Sequence, residues 1–157
     1  MTGVDAAQFR QLLGRFATGV SVVTARRADG QPVGMTASSL ASVSLDPPLL
    51  LVSVDHKNDM HGALESSDRF AVNILAADQE ALARRFATDD ANRFAGVGYR
   101  EGQHGVPLID GALAHIECAK HGSVTGGDHT VFFGLVTEGL VSDRRPLLYY
   151  RGGYASL

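Results

Sequence analysis

Four short segments carry the residues whose types and spacing could do chemistry. Gly34-Met35-Thr36-Ala37-Ser38-Ser39 puts a glycine and small hydroxyl residues on or beside a strand. Backbone N–H groups can approach an anion closely there, and Ser38 and Ser39 add hydroxyl donors. A small-residue strand packed against a neighbour has the same pattern. Asp46-Pro47-Pro48 sits between two apolar runs and fixes a sharp corner, because proline lacks the N–H that a ladder needs. In Arg84-Arg85-Phe86-Ala87 the two arginines point about 100° apart on a helix and form no single patch. Arg85 could reach an anion from the helix edge or simply be solvated. Gly126-Gly127-Asp128-His129-Thr130 reads as a loop that delivers His129 to the mouth of a strand. An imidazole there can donate hydrogen bonds or act as an acid near neutral pH, and it can equally be structural.

Other chemistries lack their residues. Gly96 and Gly98 are followed by Gly102, one position late for a dinucleotide-binding fingerprint, with no strand–helix context. Neither Lys57 nor Lys120 precedes Ser or Thr, so there is no P-loop, and no GxSxG marks a nucleophile elbow. The six His show no HxH or HExxH spacing, and a zinc site would need mixed, distant ligands around one Cys, so no metal is expected. The formal net charge is −3, whereas nucleic-acid binders usually carry a basic excess. No apolar run approaches the ~20 residues that span a bilayer. Neither a nucleic-acid nor a membrane partner is expected. The single Cys excludes an internal disulfide and suits a reducing compartment. With no signal-peptide core at the N-terminus, a cytoplasmic location is expected.

The elements that must position these residues are mostly strands. With 157 residues and 45% hydrophobic content, one domain over residues 1–157 is expected. Asp5 can cap a helix whose Phe9, Leu12, Leu13 and Phe16 fall at the spacing of one buried stripe, ended by Thr18-Gly19. Strands are expected over residues 20–24 and 33–43, and over 49–54 as a run buried on both faces. A short helix over 60–66, a strand over 70–75 and a helix over 79–87 capped by Asp78 follow. Residues 88–111 read as loop, and strands return over 113–124, 131–141 and 147–150. Cys118 shares a face with Ala114 and Ile116 and reads as a buried, inert thiol. His115 and His121 read as exposed. The pattern suggests a mainly β, antiparallel Greek-key barrel with flanking helices.

In this order and spacing the segments resemble the short-chain flavin reductase family, with its FMN-binding split β-barrel. FRQLLGRFATGVSVVT, GMTASS, SVSLDPPLLLVSV, FAVNILAADQEALARRFA, GDHTVFFGLV and PLLYYRGGY carry the likeness over nearly the whole chain. The resemblance implies a homodimer with FMN or FAD in a groove near the interface. Met35, Thr36 and Ala37 would face the isoalloxazine by their backbone, and Ser38 and Ser39 would bind the ribityl–phosphate end. Ser53, Val54 and Asp55 would lie along the flavin. Asn58 and Asp59 occupy a phosphate-side turn where the family often has Ser or Thr. Arg85 would meet phosphate, and Phe86 would wall the site. His129 would contact the nicotinamide, and Gly152, Gly153 and Tyr154 would cover it.

The implied reaction is hydride transfer from NADH, or NADPH, to FMN or FAD, with reduced flavin passed to a separate flavin-dependent monooxygenase. His129 would position nicotinamide and manage a proton. No basic pocket for a 2′-phosphate stands out, which favours NADH. The competing readings are a pyridoxamine-phosphate-oxidase-like enzyme and a flavin- or haem-binding carrier or sensor without turnover.

Overall fold

The computed structural model describes residues 1–157. In chain order the elements are α1 (Ala6–Leu13), β1 (Thr18–Gly19), β2 (Ser21–Arg26), β3 (Pro32–Ala37), β4 (Ala41–Leu45), β5 (Pro48–Asp55), α2 (Asp59–Ser66), β6 (Arg69–Ile74), α3 (Glu80–Phe86), β7 (Tyr99–Glu101), β8 (Pro107–Ile109), β9 (Ala114–Gly126), β10 (His129–Val141), β11 (Leu147–Tyr150) and β12 (Gly153–Ser156). No helix is long and apolar enough to cross a membrane.

A seven-stranded antiparallel sheet runs β3-β2-β6-β9-β10-β5-β4. Its two edge strands, β3 and β4, are consecutive in sequence. Laid flat, seven strands would hold their edges roughly 29 Å apart, at about 4.8 Å per spacing. The four steps from Ala37 to Ala41 span at most about 14 Å. The sheet must therefore curl until its edges approach. No ladder joins β3 to β4, so the barrel stays open along that seam. The single strand expected over 33–43 is thereby two strands at opposite edges, with residues 38–40 crossing between them. The double proline does form a corner: Asp46 and Pro47, joined by a cis bond, turn β4 into β5.

Alternation fills the inside of the curl. Leu50, Val52 and Val54 of β5 enter a cluster with Val23, Met35, Phe70, Cys118 and Phe132. Leu51 and Ser53, on the opposite face of β5, are only half-buried, so this strand is not buried on both faces as its composition suggested. That distinction falls to β2, where Ser21–Ala25 are all buried. Val23 and Ala25 face the inner cluster, while Val20 and Val22 pack under α3 with Ala83, Phe86 and Leu147. The residue at position 34 controls that second contact: a Cβ on Gly34 would sit 2.9 Å from Cε1 of Phe86.

Several local expectations change. Asp5 caps α1, accepting from Gln8 N at 2.8 Å, but the helix ends at Leu13, and Thr18-Gly19 is already strand. Its apolar stripe finds nothing to pack on within the chain: Phe9 is 56% exposed and Phe16 72%. Asp78 does not cap α3. The preceding residue is Gln79, whose side chain accepts from Ala76 N and donates to Asp110 O, both at 2.9 Å. The stretch 88–111 contains the β7–β8 hairpin, which covers the outer face of β6 through Ala71, Val106 and Leu108. His121 is exposed, but His115 is half-buried, its Nε2 lying 2.6 Å from Ile109 O. A fourth C-terminal strand, β12, pairs with β11, and left-handed Arg151 and Gly152 form the tight turn between them.

Two outcomes follow. Gly34→Ala should lower the urea midpoint, costing about 1–3 kcal/mol by overpacking Phe86. Burial, with Glu117 adding repulsion, pushes the Cys118 thiol up to about 12. The unfolded thiol ionises near its ordinary value and the native one does not. Stability from this group is therefore complete below about pH 9 and falls as pH rises further. Unfolding measured across that range should show the decline, and Cys118→Ala should reduce it.

Candidate active site

The seam makes a pocket at the end where the crossing residues meet β5. Met35, Thr36 and Ala37 line it from β3, Ser38 and Ser39 from the crossing, and Ser53 and Asp55 from the outward face of β5. Asn58, the end of α3 at Phe86 and Ala87, and His129 complete a cavity of about 290 Å³. Sequence reasoning anticipated all of these but Ala87. As an edge strand, β3 also turns every second backbone N–H away from β2.

Hydrogen bonds fix the walls. Ser39 Oγ accepts from Ser53 N at 3.0 Å and donates to Ser53 O at 3.3 Å, tying the crossing to β5. Thr36 Oγ1 donates to Ala83 O at 2.7 Å and ties β3 to α3. Those hydroxyls are engaged within the chain, while Ser38 stands exposed at the mouth. Asn58 caps α2, its Oδ1 accepting from Met60 N at 2.9 Å.

Ladder register delivers His129, which lies opposite Asp55 in the β10–β5 pair. Its Nδ1 is 2.7 Å from Asp128 Oδ1. That hydrogen bond, helped by the histidine's charge, holds the Asp128 carboxyl below its ordinary value. The next residue, Thr130, is buried, and its Oγ1 lies 3.0 Å from His56 Nε2 and 2.9 Å from His61 Nε2. One hydroxyl has one proton, so at least one of the two rings must donate to it. This shared contact pins the start of β10 to α2 and to the turn before it. No sequence signal pointed to it, because the partners are 69 and 74 residues apart.

Not every anticipated residue reaches the pocket. The Val54 side chain points into the core. Arg85 donates to the carbonyls of Asn92, Arg93 and Ala95 and so holds the 92–95 turn. Gly153 and Tyr154 belong to a separate sheet, β1-β11-β12, and do not line the pocket. There Tyr154 stacks against Tyr149, with the Arg84 guanidinium 4.9 Å from its ring centroid. Burial raises the Tyr154 phenol, Tyr149 adds to this, and Arg84 opposes it. Asp59 lies in an adjoining cleft of about 510 Å³ with Arg27, Lys57, Asp89 and Arg93, which shares Asp55 and Asn58 with the pocket. Arg27 and Arg93 went unnoticed in sequence because Asp59 gathers them from 32 and 34 residues away.

A slot of small residues and backbone, an aromatic wall and one histidine can orient a flat ring. It holds no nucleophile–base pair, and no three His, Cys, Asp or Glu come close enough to hold a metal.

Comparisons with known proteins agree with this architecture. The NADH:FAD oxidoreductase SgcE6 of Streptomyces globisporus C-1027, solved with NAD and FAD fragments, superposes with a TM-score of 0.91 at 42% identity, covering 99% of this chain and 96% of that one. The reductase subunit HsaB of a flavin-dependent monooxygenase from Rhodococcus jostii is 41% identical, over 98% of this chain and 79% of its own. The FMN reductase (NADH) SmoA of Agrobacterium fabrum is 41% identical, over 97% and 86%. The fold is thus the open, split barrel of flavin reductases. Residues 13–157 match the flavin reductase like domain, and the chain belongs to that family.

Ser39→Ala should remove both contacts to Ser53, lowering stability by about 1–2 kcal/mol in denaturant unfolding and weakening flavin binding in a fluorescence titration.

Proposed function

We propose that residues 1–157 act as one NADH-dependent flavin reductase domain that supplies reduced FMN or FAD to a separate flavin-dependent monooxygenase. The observation that carries this is the slot itself, in which the anticipated strand residues, Phe86 and His129 surround one cavity. The residues fit a flavin. Edge-strand N–H groups of β3 suit the polar edge of the ring, Phe86 supplies a wall, and the slot opens onto a cleft carrying Arg27, Lys57 and Arg93 for a phosphate end. In that cleft Arg27 Nε is buried without a hydrogen-bond partner.

A bound flavin would supply the acceptor for a hydride from nicotinamide, so the protein needs no nucleophile of its own. What the chain supplies is placement: reacting atoms must come within about 3–3.5 Å. β3 and β5 hold the slot walls, and Ser39 locks their spacing. Backbone donors along β3 would favour negative charge on a ring held there. His129, braced by Asp128, positions the nicotinamide and exchanges a proton with solvent.

The domain works as a homodimer in this reading. Phe9, Leu12 and Leu13 on α1 and Phe16 just after it, together with Leu140 and Val141, leave apolar surface that a second copy would cover. Sedimentation should give a dimer, and a monomer would remove that part of the proposal.

Purified protein mixed with NADH and FMN or FAD should consume NADH rapidly. A tightly held flavin with no NADH consumption would instead mark a carrier. His129→Ala should cut NADH-dependent turnover by roughly tenfold or more while changing flavin affinity little. Equal loss of both would contradict its role toward nicotinamide.

A further inference from the structure

We propose that Asp59 is an internal stand-in for the flavin phosphate, holding the two guanidiniums that would otherwise grip it and so setting how readily flavin leaves. The proposal rests on the reading of the slot as the flavin site. A ligand lying in the slot with a phosphate-bearing tail passes Asp55 and Asn58 and enters the adjoining cleft, because those two residues line both.

The cleft is built for an anion and then neutralised. Arg27, Lys57 and Arg93 line it, against Asp55, Asp59 and Asp89, three charges of each sign. Asp59 offers one carboxylate oxygen to each arginine: Oδ2 accepts from Arg27 Nη2 at 2.8 Å, and Oδ1 accepts from Arg93 Nη2. Two oxygens bridging two guanidiniums is the arrangement a phosphate would adopt there. Arg93 is 5% exposed, and its Nη1 is fixed on Thr88 O at 2.6 Å, so its head cannot swing away to find another partner. Arg85 holds the carbonyl of Arg93 itself and thereby places the turn that carries it. The Nε of Arg27 is buried with no hydrogen-bond partner, so this guanidinium is only partly satisfied. Asp59 is 38% exposed, so solvent and a phosphate can both reach the bridge.

Asp59 is not needed to start α2, because Asn58 makes the cap. Its carboxylate costs the cleft one positive charge and occupies two forks that suit phosphate oxygens better than any other group present. A phosphate monoester carries roughly 1.5–2 negative charges at neutral pH. It must therefore displace or share a competitor already in place. The consequence is a moderate affinity for any phosphate-bearing flavin, as expected of a site that hands its product on.

The test is a fluorescence titration of the whole protein with FMN, FAD and riboflavin, comparing wild type with Asp59→Asn. FMN and FAD should bind about tenfold more tightly to the variant, riboflavin should be unchanged, and the gain should shrink with added salt. Asp59→Ser, which also leaves the Asn58 cap intact, should show the same pattern and serves if the first variant folds poorly. A change common to all three ligands, or no gain for FMN and FAD while riboflavin still binds, overturns the role of Asp59 and leaves the slot reading standing. Failure of wild type to bind any of the three overturns both.

Discussion

Three residues join the two edges of a seven-stranded sheet, and the rest of the molecule follows from that short connection. Strand pairing alone would leave an open, twisted sheet with one apolar face in water. The link between β3 and β4 bends it into a trough, and the inward side chains of β2, β5, β6 and β10 then share one core. Because the closing strands do not pair, the seam keeps unpaired edge backbone beside small side chains. Ser39 sits at that point and bonds both backbone groups of Ser53, so the width of the slot is set by the same residue that closes the fold.

The chemistry suits such a site. Hydride transfer between two flat rings asks for spacing, exclusion and a few well-placed donors. It does not ask for a strongly perturbed acid or nucleophile. The titratable groups nearest the slot accordingly form local braces: Asp128 on His129, and His56 and His61 on the Thr130 hydroxyl. The one group pushed far from its usual range, the Cys118 thiol, lies in the core against Phe70 and Gly134. Charge is concentrated next door, in the cleft where Asp59 bridges two arginines.

Much of this was legible in the residues. Alternation marked most strands. Residues 35–39 of the small-residue run and His129 after its turn resolved into the lining of one cavity. What escaped depended on tertiary partners. The apolar stripe of α1 is real, but amphipathic spacing does not say whether its cover comes from the same chain. The run at 49–54 and the one at 20–24 look alike in composition. Only the position of α3 and its Phe86 decides that β2 is the strand buried on both faces. Arg85 has the right type and place to meet a phosphate, yet carbonyls at 92, 93 and 95 claim it. Arg93, in a stretch that reads as plain loop, is the buried arginine beside the site.

The central claim is that the seam between β3 and β5 receives the isoalloxazine ring. Amide chemical shifts of isotopically labelled protein, followed while riboflavin is added, test it most directly. The account predicts that the largest changes fall at Met35 to Ser39, Ser53, Asp55 and His129. Changes confined to the separate cavity around Arg100, Glu117 and Glu138 would contradict it.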